Sequence, residues 1–175
     1  MITIIVGTNR PNSRALRIAN LYAGLLQEHG ATYQLLDLTD LPTDFMTGAL
    51  YHKVGQHAEF NQLVQLASDA DKLVFVVPEY NCSYPGVLKM FIDGLPYPGG
   101  IRGKKAALVG LGTGSQGGLL ALSHLTDILM YLGTAVLPAR VRLPFIDQHL
   151  TADGKLTNAL YQQLLAEQVS QLLAF

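Results

Sequence analysis

The strongest constraint on this chain is Ile2-Thr3-Ile4-Ile5-Val6, a short apolar, β-branched run closed by Gly7. A strand exposed on one face alternates apolar with polar residues, whereas a run of this kind fits a strand covered on both faces, as in parallel sheets. The next thirty residues fit that reading. After a polar turn, Ala15, Ile18, Ala19, Tyr22, Leu25 and Leu26 recur at helical spacing, and Gly30 supplies the stop. The same order returns along the chain: strands are predicted at 33–38, 72–77, 105–110 and 134–137, and helices at 58–70, 85–95, 118–132 and 158–173. Strands that alternate strictly with helices favour a parallel sheet with right-handed crossovers and helices on both faces, a doubly wound α/β domain. No repeat, low-complexity tract or interdomain linker interrupts it, so residues 1–175 read as a single domain. Two irregular stretches, 39–56 and 97–104, are rich in Pro, Gly or Tyr and are expected to be functional or mobile loops.

Composition narrows the function classes. With 49% hydrophobic and 14% charged residues, the chain is too apolar for intrinsic disorder, and 175 residues are enough to bury a core without staples. Twelve Lys and Arg against 13 Asp and Glu leave a net charge of -1, which offers no broad footprint for nucleic acid. The single cysteine, Cys82, cannot close an internal disulfide, and no Cys/His spacing resembles a zinc site, so a reducing cytoplasm is the expected location. The N-terminus lacks the features of a signal peptide, and charged residues or glycine break every other apolar stretch before spanning length; a soluble protein without membrane insertion is expected. His29, His52, His57, His124 and His149 show no ligand spacing and are read as surface or packing residues.

In sheets of this kind ligands sit where strands end and helices begin. The first such loop, Gly7 to Arg14, carries Thr8 and Ser13 hydroxyls, Asn9 and Asn12 amides and two guanidinium groups, and it ends at a helix N-terminus. Unpaired amides and the positive end of the helix dipole attract an anion there, and Arg10 can add a bidentate contact, so a phosphate monoester suits the loop. Neither a Walker lysine frame nor Gly-x-Gly-x-x-Gly is present, which excludes nucleotide triphosphate and Rossmann dinucleotide fingerprints. The third loop, Pro78 to Gly86, combines prolines, a glycine and the flat faces of Tyr80 and Tyr84, which suits a planar ligand. The fourth, Gly110 to Gly118, is glycine-rich ahead of a helix, and glycine permits close backbone approach.

Together, Gly7-Thr8-x-Arg10-x-x-Ser13 and Pro78-Glu79-Tyr80-Asn81-x-Ser83-x-Pro85-Gly86-x-Leu88-Lys89-x-x-x-Asp93 resemble the NADPH-dependent FMN reductase family of flavodoxin-like proteins over about residues 1–140. The resemblance implies a three-layer α/β/α sandwich with a five-stranded parallel sheet in the order 2-1-3-4-5. It also implies FMN as cofactor, with Thr8, Arg10, Asn12 and Ser13 on the phosphate, and Pro78, Glu79, Tyr80, Asn81 and Ser83 framing the isoalloxazine. Gly112, Thr113, Gly114, Ser115 and Gly117 would border the ring's other edge. Thr8 replaces the usual serine and keeps the hydroxyl; Gly94 stands where a tryptophan is common, ahead of an unusual Pro96-Tyr97-Pro98-Gly99-Gly100 segment.

The activity implied is ping-pong: NADPH or NADH reduces the flavin, and a quinone, free flavin, azo compound or metal oxyanion then takes the electrons at the same face. No side-chain catalyst is nominated, since the flavin carries the chemistry. The loop backbone, rather than Glu79, is expected to contact the ring, and Cys82 is read as inert. Arg102, Lys104 and Lys105 are read as a solvated turn. The helix at 118–132 is apolar almost all round, and with the resemblance this implies a homodimer or homotetramer. The alternatives are a flavodoxin-like electron carrier, disfavoured by the weak net charge, and a flavin-less interaction module.

Overall fold

A computed structural model describes residues 1–175. In chain order the elements are β1 (Ile2–Val6), α1 (Arg14–Glu28), β2 (Tyr33–Asp37), α2 (Phe45–Gly48), α3 (Ala58–Ser68), β3 (Lys72–Pro78), α4 (Gly86–Asp93), β4 (Lys105–Leu111), α5 (Leu119–Tyr131), β5 (Ala135–Val136), β6 (Val141–Leu143), α6 (Ile146–His149) and α7 (Ala159–Ala174). All strand pairs are parallel, in the order β2-β1-β3-β4-β5, with β6 also on β4. The expected topology is therefore present.

Central strands are buried on both faces, and side-chain alternation divides them between two cores. Ile5, Leu73, Phe75, Val77 and Leu108 meet α3, α4 and α5 through Phe60, Leu88, Phe91 and Leu125. Ile4, Val6, Val74, Val76 and Val109 meet α1 and α7 through Ile18, Tyr22, Leu26, Leu165 and Val169. The chain thus leaves β1 toward one layer and β3 toward the other, which opens a crevice between their loops.

The fifth strand differs from expectation. Residues 134–137 do not form it alone: β5 pairs only with Lys105 and Ala106, and β6 continues along Val109 to Leu111. Pro138, which has no N–H to give a ladder, lies in the gap. The stretch at 39–56 also departs from a mobile loop: Phe45, Ala49 and Leu50 are buried, and the Phe45 ring stacks on Phe60 at 5.9 Å. His57 caps α3, its Nδ1 accepting from the Phe60 N–H at 3.3 Å while its Nε2 meets Asp44 at 3.1 Å.

The basic residues before β4 are not simply solvated. Lys104 Nζ donates to the carbonyls of Ser68 and Ala70 at 2.6 and 2.5 Å, and Lys105 Nζ donates to the Phe175 carbonyl. Lys72 Nζ reaches Leu172 and Leu173 carbonyls, both at 2.8 Å. Helix C-termini carry unpaired carbonyls and partial negative charge, so ammonium groups close them favourably. Burial and the neighbouring Lys105 hold the Lys72 ammonium below its usual range.

Candidate active site

At the carboxyl end of the sheet lies a polar cleft of about 640 Å³, within the range of small-molecule sites. At the end of β1, Gly7 lies tight against β3: its N–H donates to Val76 O at 2.9 Å, and an added Cβ would lie 3.0 Å from that same oxygen. From there the chain turns through Asn12, at φ 53°, into the cap of α1. Ser13 Oγ accepts from Leu16 N–H at 3.1 Å, and the first intrahelical bond runs from Arg17 N–H to Ser13 O. The amides of Arg14 and Ala15 therefore face the cleft end without intrahelical partners. Arg10, Arg14 and Arg17 line this end too, and none of them forms an ion pair with a carboxylate. Such an end attracts a doubly charged phosphate.

The other wall is the β3 loop. Tyr80 N–H donates to Ser83 O at 2.8 Å and Ser83 N–H returns to Tyr80 O at 3.0 Å, enclosing Asn81 and Cys82 at φ 49° and 59°. Two successive left-handed residues are the mark of a type I′ turn. Thr8, only 1% exposed, joins the two walls: its Oγ1 lies 2.9 Å from the Tyr80 hydroxyl and accepts from Arg10 N–H at 3.3 Å. Glu79 Oε2 accepts from Gly118 N–H at 2.7 Å, so its carboxylate ties the β3 loop to the start of α5.

The β4 loop is fixed by its own backbone. A Cβ on Gly117 would lie 2.5 Å from Pro144 N, one on Gly110 would meet Gly117 O at 2.8 Å, and one on Gly118 would meet Gly110 Cα at 2.9 Å. These glycines admit chain against chain. Gly112 N–H donates to Leu143 O at 3.2 Å, and Ile146 N–H donates to Gly112 O at 3.0 Å, which sews the loop to β6 and α6.

The structure brings Thr8, Arg10, Asn12, Ser13, Pro78, Glu79, Tyr80, Asn81, Gly112 and Thr113 onto one cleft. It does not bring Ser83, Gly114, Ser115 or Gly117 onto that lining. Ser83 turns to His124, Gly117 is buried beneath Pro144, and Ser115 borders a separate hollow beside α7. Sequence reasoning missed Arg17 and Ile146, and it counted Arg14 on the first loop without assigning it to the site. The arginines are visible as basic positions in the first turn of α1, whereas Ile146 follows a strand that the sequence does not reveal. Gly94 is off the cleft; a Cβ there would lie 2.5 Å from Phe60 Cζ and 2.9 Å from Leu50 Cδ2, which leaves room for glycine alone.

The donor set fits FMN: unpaired helix amides and guanidinium groups at one end, and a rigid turn with polar backbone at the other. Comparison with known proteins agrees. The family described as NADPH-dependent FMN reductase matches residues 1–148. A 2-hydroxy-1,4-benzoquinone reductase of a Burkholderia species is 33% identical over 75% of this chain and 70% of its own length. An FMN-dependent NADPH-azoreductase of Staphylococcus saprophyticus is 28% identical over 98% of this chain and 93% of its own. Among solved structures, the flavoenzyme NAD(P)H:(acceptor) oxidoreductase FerB of Paracoccus denitrificans superposes with a TM-score of 0.82 at 25% identity, covering 99% of this chain and 94% of that one. The chain belongs to the NADPH-dependent FMN reductase family, and it is an oxidoreductase that works with FMN and a nicotinamide hydride donor.

Proposed function

We propose that residues 1–175 form one FMN-binding domain whose cleft passes electrons from NAD(P)H to a small-molecule acceptor, a quinone, free flavin, azo compound or metal oxyanion. The observation that carries this reading is the pairing, in one cleft, of the cationic start of α1 with the Tyr80–Ser83 turn. Arg10 and the α1 amides hold the phosphate, with Arg14 and Arg17 adding positive potential behind them. Tyr80, Asn81 and Pro78 support one edge of the ring, and Gly112 and Thr113 border the other. FMN held there would supply the redox chemistry, hydride uptake from a nicotinamide and two-electron transfer to an acceptor. The protein's part is binding, orientation and electrostatics. Glu79 is spent on Gly118 and needs no role as acid or base. The test is FMN titration of the purified protein, then NADPH oxidation with and without a quinone: tight binding with quinone-dependent turnover is expected, and binding without turnover defeats the reading.

We also propose that the protein acts as a homodimer or homotetramer in the cytoplasm. No helix is long and apolar enough to cross a membrane. An apolar groove of about 580 Å³ runs between α4, α5 and the segment after α4, flanked by Tyr97 and Tyr131, 73% and 77% exposed. Exposed apolar surface of this kind suits an interface. Sedimentation of the wild type and Tyr131→Glu checks it: a larger species that dissociates in the variant is expected, and a monomeric wild type at micromolar concentration defeats it.

A further inference from the structure

Two side-chain contacts join α5 to the β3 loop. At the start of the helix Gly118 N–H donates to Glu79 Oε2, and further along it His124 Nδ1 lies 3.0 Å from Ser83 Oγ. Between Glu79 and Ser83 stand Tyr80, Asn81 and Cys82, the segment that walls the cleft and holds two consecutive left-handed residues. Left-handed backbone is tolerated by asparagine but unfavourable for cysteine, so the turn persists only where its surroundings fix it. One anchor is the Tyr80 hydroxyl on Thr8. The other is Ser83 on His124. That imidazole has no carboxylate within ion-pair distance. A serine hydroxyl has one proton, and given to Nδ1 it fixes the ring in its Nε2–H tautomer.

We propose that His124 is a positioning residue for the flavin, acting through Ser83 to hold the Tyr80–Ser83 turn in the shape that frames the isoalloxazine. The proposal rests on the reading that this turn borders the ring. It makes α5 a two-point brace, so the turn is set from outside the cleft by a residue that touches neither cofactor nor substrate. Ser83 then serves the site from behind, which explains why it leaves the cleft lining.

The test uses the full chain with FMN. His124→Phe keeps a ring and removes the hydrogen bond, His124→Asn keeps a polar group at the position of Nδ1, and Ser83→Ala removes the partner. His124 is exposed and Ser83 is half-buried, so none of these opens the core. By fluorescence titration, FMN affinity should fall about tenfold in His124→Phe and in Ser83→Ala, the worth of one hydrogen bond. The double variant should lose no more than either single one, and His124→Asn should restore most of the loss. The FMN midpoint potential should shift in His124→Phe and return in His124→Asn. Additive losses, or wild-type affinity and potential in His124→Phe, overturn the proposal. Amide exchange of wild type separates that failure from failure of the site reading: if FMN leaves the amides of residues 80–83 unprotected, the turn does not frame the flavin, and both readings fall.

Discussion

At the amino end of the sheet, Lys72, Lys104 and Lys105 reach the last carbonyls of α3 and α7 and their flanking residues. At the carboxyl end, the first amides of α1 have a serine cap and then arginines with no carboxylate partner. Both ends present helix termini with unpaired backbone groups and partial charge. The difference is that the negative termini are neutralised by the protein's own side chains, while the positive terminus is reinforced by more positive charge. Such reinforcement is unfavourable for the protein alone and favourable once an anion arrives. Stability and affinity should therefore separate by end.

Substitution of the β4 loop should break that separation most severely. Gly117→Val places a branched side chain where a Cβ already meets Pro144 N at 2.5 Å, at φ 58°. Overpacking and left-handed strain together should cost about 3 kcal/mol or more in urea unfolding, with FMN binding lost alongside. Arg10→Ala should weaken FMN binding by about 1.5–3 kcal/mol by titration while the unfolding midpoint of the flavin-free protein does not fall. An unchanged FMN affinity would remove Arg10 from the phosphate site.

Lys104→Ala should do the reverse. Losing the ammonium that serves Ser68 and Ala70 carbonyls should lower unfolding free energy by about 1–2 kcal/mol without altering FMN affinity. The smallest effect lies between the two ends. The Tyr22 hydroxyl on α1 is buried with no partner, and burial pushes its ionisation far above the usual tyrosine range. Tyr22→Phe should raise stability by about 1 kcal/mol, because an unsatisfied buried hydroxyl is removed. Tyr22 stays neutral when folded and ionises more readily when unfolded, so its ionisation takes nothing from stability below pH of about 10 and lowers it increasingly as pH rises beyond that. The Phe variant should accordingly show a shallower alkaline decline in denaturant midpoint.

Much of this architecture is legible in the sequence because burial on both faces writes itself there as continuous apolar runs. Ile2–Val6 and Lys72–Pro78 are such runs, and their helices come after them with clear spacing. The last strand is half legible: Val141–Leu143 alternates around the exposed Arg142 and is too short to show a period. The stretch at 39–56 misleads because between its buried Phe45 and Leu50 stand an exposed Met46 and the small residues Thr47, Gly48 and Ala49, which show no regular period. At the site, Arg10, Ser13 and the Tyr80–Asn81 turn are legible from residue type and loop position. His124 is not, since its partner Ser83 is distant in sequence and only the packing of α5 against the β3 loop brings them together. The glycine-rich composition of the β4 loop points toward a ligand, yet Gly110, Gly117 and Gly118 serve the approach of one backbone segment to another.

The break at Pro138 reaches beyond the fold itself. An uninterrupted strand on that side would present a long row of free N–H and C=O groups, on which another chain could add a strand of its own. Instead the edge is cut into Ala135–Val136 and Val141–Leu143, with Pro138 between them and Arg140 and Arg142 exposed along it. Fibrous stacking draws on apolar segments of six or seven residues without proline, and neither fragment reaches that length. On this side of the sheet, then, the edge offers no row of free backbone groups long enough for another chain to extend.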